Sequence, residues 1–327
     1  MRSYLLIAIF FSLAVMTRSQ TTLNTSDTGN YANLRNLARD QSFFITLDSN
    51  NAGAYVKRAD CRLQLLDFNG AIKDYSKAIS LKPDLTSSFD NRGYAYYNRG
   101  MAYWYLEKYD EAFKDYYNAS VFLPDNVTIY YSMGLTKSAL EEYANALSYY
   151  GKAILINPKF REAYYKRGQA YYKLGKFKEA LTDYDNSLKL GGFADVYYSR
   201  ALVKCKLSDF YGAIDDDDKA IELYPDYALA WNNRGASLIA LTNYKDAIKY
   251  LDRAIQLDSS SYDAYCNRGA AYFGLYQNER SLKDLNKAIV LDPGGYDAYY
   301  DRGLLYQRLG EKKKADADLK KAETLKK

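Results

Sequence analysis

Small, apolar and aromatic residues return along most of this chain at intervals of three and four, the spacing that gives a helix one buried face. Residues 161–193 show the pattern in full. Tyr164, Gly168 and Tyr171 fall on one helical face, and Ala180, Tyr184 and Ser187 fall on another. Between them Leu174-Gly175-Lys176-Phe177 interrupts the periodicity. The segment predicts two helices joined by a turn, each with a face too apolar to leave in water.

The prolines show that this segment recurs. Pro83, Pro124, Pro158, Pro225 and Pro293 are separated by 41, 34, 67 and 68 residues, all close to multiples of 34 once one insertion of seven is allowed. Placing each proline at position 32 of a 34-place frame divides the chain into units 52–85, 86–126, 127–160, 161–193, 194–227, 228–261, 262–295 and 296–327. Place 8 is then always small: Ala59, Gly100, Gly134, Gly168, Ala201, Gly235, Gly269 and Gly303. Places 20 and 27 are Ala or Ser throughout, and place 4 is aromatic in every unit. Small side chains at fixed places let helix backbones approach closely. Each unit is a helical hairpin whose apolar faces only its neighbours can cover.

This pattern resembles the tetratricopeptide repeat over residues 52–327. The resemblance implies an all-α solenoid, a right-handed superhelix of antiparallel helix pairs with a concave groove lined by the first helix of each unit. It further implies a non-enzymatic scaffold that binds peptides or partner proteins. Residues 31–51 look like a degenerate capping helix, and the highly charged final helix, EKKKADADLKKAETLKK, suits a cap facing water. The second unit departs from the frame, because NRGYAYY at 91–97 is followed by NRGMAYW at 98–104. Seven residues keep the apolar face within about 20° and predict a first helix longer by about 10 Å. The insert is either a protruding aromatic ridge for docking or a segment stacked against the first unit.

The amino terminus carries a different message. Arg2 precedes an uncharged run, YLLIAIFFSLAVM at 4–16, which is shorter than the about twenty residues a membrane-spanning helix needs. Residues 1–19 read as a secretory signal cut after Ser19, followed by a polar linker over 20–30. The alternative is a membrane anchor or an unstructured start. The signal reading predicts an exported protein, periplasmic or extracellular, with no stable membrane span once the signal is removed. Cys61, Cys205 and Cys266 are too few and too widely spaced for a disulfide framework and read as small buried residues. Asn24, Asn118 and Asn126 begin glycosylation triplets that matter only in a eukaryotic secretory pathway.

Composition narrows the chemistry. The 327 residues are 48% hydrophobic and 26% charged, enough for a large core, and their net charge of +5 gives no argument for nucleic acid. The absence of histidine removes His-dependent triads, most zinc sites and the usual near-neutral acid–base group. With no phosphate loop, nucleophile elbow or metal cluster in the sequence, we expect no catalytic residues, no metal and no cofactor.

Place 7 is usually apolar in this family, yet here it is Arg in seven of eight units. Place 23 is Asp in six, and the two places are equidistant from the turn at place 15. That spacing predicts bidentate pairs Arg58–Asp74, Arg99–Asp115, Arg167–Asp183, Arg200–Asp216, Arg268–Asp284 and Arg302–Asp318, against the alternative of unpaired surface charge. The run of aspartates at 215–218 points in several directions on a helix, so it predicts a solvated face with Asp216 bridging to Arg200.

On the resemblance, places 2, 5, 9, 12 and 13 face the groove. They make an aromatic wall of Tyr97, Trp104, Tyr105, Tyr131, Tyr165, Tyr172 and Tyr198, edged by Lys173 and Lys206, as the candidate partner site. The other reading of these tyrosines is packing. The carboxylate clamp with which some family members hold chaperone C-termini is disfavoured, because place 5 never carries Lys and Asp263 puts the wrong charge where a cation is needed. Two functions follow: a scaffold for an unidentified peptide or protein, and a glycan-binding module of the cell envelope, since Tyr and Trp also suit sugar faces.

Overall fold

The structure, a computed structural model, describes residues 28–81 and 89–326. Among those residues it is all-helical, with seventeen helices and no strand. The segment read as a signal lies outside the described residues. The first helix, α1 (Thr28–Leu47), begins inside the stretch read as linker and covers most of the capping segment.

The chain divides into two compact units, Met1–Ala170 and Tyr171–Lys327. The first holds α1, α2 (Ala52–Gln64), α3 (Phe68–Leu81), α4 (Phe89–Tyr105), α5 (Tyr109–Phe122), α6 (Val127–Ala139), α7 (Tyr143–Ile156) and most of α8 (Arg161–Lys173). Successive helices from α1 to α7 pack on one another as hairpins and neighbours of hairpins. The core of this unit is built from the small places and the large side chain at place 24: Tyr75, Tyr116 and Tyr150 are fully buried against Ala59, Ala71, Ala112 and Ala146. Close approach explains the glycines at place 8. A Cβ on Gly100 would sit 2.8 Å from the Tyr116 ring, and one on Gly134 only 2.5 Å from Tyr150.

The second unit continues with α9 (Phe177–Lys189), α10 (Ala194–Lys206), α11 (Phe210–Leu223), α12 (Ala228–Ala240), α13 (Tyr244–Leu257), α14 (Tyr262–Gly274), α15 (Asn278–Leu291), α16 (Tyr296–Arg308) and α17 (Lys312–Leu325). Here Leu251 and Leu285 fill place 24, and Gly235 and Gly269 again leave room for them.

The turns obey one rule that composition hid. Place 15 takes a left-handed backbone every time, from φ 59° at Glu107, Glu141 and Tyr276 to 77° at Gly310. The next residue's N–H then reaches back five residues, as from Asp67 to the Arg62 carbonyl at 2.8 Å and from Asp209 to Lys204 at 2.8 Å. This is a Schellman ending, in which glycine is usual. Only Gly175 and Gly310 supply it at place 15; Leu66, Glu107, Glu141, Ser208, Thr242 and Tyr276 accept a conformation that costs about 1 kcal/mol. Packing of the two helices holds them there.

The duplicated heptad lengthens α4 to 17 residues, against 13 in α2 and α6. The four extra described residues add about 6 Å. Gly93 lies so close to the end of α5 that a Cβ would be 2.6 Å from Leu123, and Tyr96 stacks on Phe122 with centroids 6.0 Å apart. These contacts pack the duplicated stretch rather than project it as a ridge.

Candidate functional site

Arginine at place 7 organises the hairpins. Arg58 donates from Nε and Nη2 to Asp74, both at 2.7 Å, and Arg99 does the same to Asp115 at 2.7 Å. Arg200 grips Asp216, Arg268 grips Asp284 and Arg302 grips Asp318 with the same two nitrogens at 2.6–2.9 Å. The aspartates are buried while the guanidinium groups are partly exposed, which makes these strong bidentate bonds in a poorly solvated place. The carboxylates and the charge they place nearby hold the Arg58, Arg200 and Arg268 guanidinium groups above their usual range against the desolvation that lowers them. Arg167 and Asp183 belong to different units.

The third nitrogen does something the spacing did not foretell. Nη1 of Arg99 reaches Ser76, that of Arg200 reaches Asp185, that of Arg268 reaches Asp252 and that of Arg302 reaches Asn286, all at place 25 of the preceding hairpin. Arg58 makes the corresponding bond to Ser42 on α1. Each arginine thus ties its own hairpin together and to the one before. The aromatic side chain at place 4 lies beneath the guanidinium, with Arg58 5.5 Å from Tyr55, Arg200 5.8 Å from Tyr197 and Arg302 5.6 Å from Tyr299. Arg234, whose own place 23 is Tyr250, instead pairs with Asp218 of the preceding hairpin and sits 3.7 Å over the Tyr250 ring. The pair joins two hairpins, so spacing within one repeat does not disclose it.

The candidate groove residues divide by burial. Tyr97 and Tyr165 are buried, each 8% exposed, so neither can present a ring face; this corrects their assignment to the wall. Place 5 lies low between neighbouring helices, where Tyr97 packs 5.6 Å from Tyr116 and Tyr165 receives a hydrogen bond from Gln169 at 2.8 Å. Tyr131 is wedged between Tyr150 and Phe160, at 6.0 and 4.9 Å. Trp104 and Tyr105 remain partly exposed in the first unit, Tyr105 stacked on Phe68 at 4.9 Å and Trp104 edge-on to it at 5.7 Å. In the second unit Tyr172 lies against Phe177 at 5.7 Å and Tyr198 against Tyr227 at 5.2 Å, both partly exposed, while Lys173 and Lys206 are exposed.

The aspartate run on α11 is not one solvated face. Asp215 is exposed; Asp216 is buried and paired with Arg200 and with Lys204 at 2.8 Å; Asp218 pairs with Arg234. Asp217 has no exposure at all. Its Oδ2 accepts a hydrogen bond from Asn233 at 2.7 Å, and its Oδ1 meets no partner. Burial pushes its carboxyl up to about 8, with the neighbouring Asp216 and Asp218 adding to the rise and Asn233 and Arg234 opposing it. Beside it Cys205 lies 3.2 Å from the Ser237 hydroxyl. The signal was in the sequence, since place 24 is Tyr or Leu in every other unit. Among the described residues no group of His, Cys, Asp and Glu is arranged to hold a metal ion.

Profiles of the tetratricopeptide repeat match residues 52–85, 93–119, 138–175, 162–190, 237–275, 262–294 and 296–327, together well over half of the chain. The chain belongs to the tetratricopeptide repeat family. Over 73 residues it is 40% identical to dynein axonemal assembly factor 4 of Pongo pygmaeus, a stretch that is 22% of this chain and 17% of that protein. The match therefore spans less than a fifth of that relative's length. Among solved structures, a tetratricopeptide repeat protein from Parabacteroides merdae ATCC 43184 superposes with a TM-score of 0.59 at 18% identity, covering 83% of this chain and 98% of that one. YrrB, a TPR protein with an unusual peptide-binding site, gives a TM-score of 0.50 at 24% identity, covering 57% and 97%. At these identities the likeness is one of fold.

Proposed function

We propose that this chain is an exported, non-catalytic TPR scaffold that binds a peptide or partner protein through the first helices of its repeats. The observation that carries the reading is the set of partly exposed aromatic side chains on those helices: Trp104 and Tyr105 in the first unit, Tyr172 and Tyr198 in the second. Such rings offer large contact area at low entropic cost and dominate binding hot spots. YrrB, similar in fold, has an unusual peptide-binding site, which agrees with this reading. Export rests on the amino-terminal pattern of residues 1–19, and no helix among the described residues is long and apolar enough to cross a membrane.

The glycan alternative has less to stand on. Tyr105 is already stacked on Phe68, and Trp104 meets Tyr105 and Tyr109 edge-on, so ring faces for a sugar are partly taken. Display of a random peptide library on the purified chain, beside a polysaccharide panel, decides between them. Selected peptides should lose binding to a Trp104→Ala, Tyr198→Ala double variant that keeps its helical circular dichroism. Peptides that bind this variant as well as the parent would remove the groove assignment.

A further inference from the structure

Repeats five to eight carry carboxyl groups that no cation among the described residues pairs with: Asp263, Asp297 and Asp301 on first helices and Asp217 on α11. Asp217 is the most telling. In the first repeat the side chain at the same place, Tyr75, is fully buried and extends its hydroxyl to Asp60 at 2.5 Å, beside Asn98 of the next repeat, on the floor between adjacent first helices. Asp217 occupies that place in the fifth repeat, bonded to Asn233 at the position equivalent to Asn98. Its shorter side chain leaves Oδ1 under the floor with no donor. Arg200 and Lys204 hold Asp216 and Arg234 holds Asp218, while Lys206, exposed on α10, makes no salt bridge to Asp217. A buried carboxyl with an unsatisfied oxygen and no counter-ion, which burial keeps protonated up to about pH 8, is destabilising where Tyr or Leu would serve the core.

Two side chains of α10 near Asp217 are partly exposed although Asp217 itself is not. Tyr198 and Cys205 on α10 are half-buried, and the Tyr198 hydroxyl is pushed upward by burial and by the charges of both Asp217 and Asp263. Tyr198 is thus within electrostatic reach of both the floor carboxyl and the exposed Asp263. Beyond it Asp297 and Asp301 are four residues apart on one face of α16, a like-charge spacing that weakens a helix. Burial and Asp297 together push the Asp301 carboxyl up to about 7, and Asp297 acts in the same direction on Asp263. None of Asp217, Asp263, Asp297 or Asp301 has a salt bridge among the described residues. Helix starts favour acids at Asp263 and Asp297, but not at Asp217 or Asp301.

We infer that the first-helix face of repeats five to eight takes a basic segment of a partner protein, one lysine or arginine seated over Asp217 beside Tyr198 and its other cations facing Asp263, Asp297 and Asp301. The inference rests on the peptide-binding reading above and adds the partner's chemistry. Charge complementarity and an aromatic ring for a cation's stem and head together favour such a segment. Asp217 is fully enclosed in the free chain, so seating a cation at Oδ1 takes a side-chain rearrangement, the kind of adjustment common at interfaces.

The test uses the full chain and fluorescently labelled nine-residue peptides with one aromatic residue and either three Lys/Arg, three Gln or three Glu. Anisotropy should show the basic peptide binding best, with affinity falling as salt rises. Asp217→Asn should weaken it about tenfold or more, and Asp301→Asn should weaken it by a smaller factor. Asp217→Leu, which restores the core residue of repeats six and seven, should lose binding without any fall in melting temperature. Unchanged affinity for the basic peptide in both Asp217 variants would overturn the inference. So would a preference for the Gln or Glu peptide lost in Tyr198→Ala, an outcome that leaves the peptide groove standing. Failure of every peptide to bind would remove both readings.

Discussion

Arg268 and Asp284 face each other across one helical hairpin, joined by Nε to Oδ2 at 2.7 Å and Nη2 to Oδ1 at 2.9 Å. The aspartate is 4% exposed, so its charge has little water to fall back on. Because the remaining nitrogen of Arg268 reaches Asp252 in the hairpin before, the pair fixes the register within a repeat and the seating of one repeat on the next. Repetition of this geometry at Arg58, Arg99, Arg200 and Arg302 makes it a property of the solenoid rather than of one site.

Removing one partner should hurt more than removing both. Arg268→Met leaves the Asp284 carboxylate buried and unpaired, at an expected cost of about 3–5 kcal/mol. The third repeat already shows a neutral solution, with Met133 at place 7 and Tyr149 at place 23. The double variant Arg268→Met, Asp284→Tyr should therefore recover most of the loss. Urea unfolding of the two variants, followed by circular dichroism, checks the order; equal destabilisation would deny the pair its role.

Asp217 should make the protein less stable as pH rises. In the folded chain its carboxyl keeps a proton up to about pH 8, whereas in the unfolded chain it releases that proton near the ordinary value of about 3.9. Between those limits the folded state binds more protons than the unfolded one, so stability declines with rising pH, by about 1.4 kcal/mol per unit at most for one group. The groups around it, Asn233, Tyr198, Cys205, Asp216, Asp218 and Arg234, do not replace the missing counter-ion. Asp301, raised to about 7, adds a slope of the same sign. Melting temperatures from pH 5 to 8 should fall for the parent and fall less steeply for Asp217→Asn; identical slopes would show that Asp217 ionises freely.

Two glycines on adjacent helices should respond in opposite directions. A Cβ on Gly134 would be 2.5 Å from the Tyr150 ring, so Gly134→Ala must displace a fully buried side chain and should cost about 1–3 kcal/mol. Gly151 lies inside α7 and its nearest new neighbour would be Arg167 Nη1 at 3.8 Å, an ordinary contact. Gly151→Ala should raise stability by about 0.5–1 kcal/mol through helix propensity alone. Chemical denaturation of both single variants provides the comparison.

Much of the repeat was legible because residue type at fixed spacing carries it. Gly or Ala at place 8 and a large residue at place 24 announce a close helix pair, and Gly100 against Tyr116 shows that contact. The turn was legible as a break but not as a conformation, since Leu66 and Tyr276 give no hint of a left-handed backbone until the helices on either side are docked. The groove was the least legible part. Tyr97 and Tyr198 share place 5 and the same residue type, yet one is buried and the other half-exposed, a difference set by their neighbours.

The sequence alone determined the period, the hairpin and the facing of Arg on Asp within a repeat, because helical geometry converts spacing along the chain directly into direction in space. Tertiary packing decided where the third nitrogen of each arginine goes, which tyrosines became core, and that Asp217 would be enclosed without a cation. Those outcomes depend on how neighbouring hairpins seat against one another, and that seating is a matter of side-chain volume and desolvation that no linear spacing encodes.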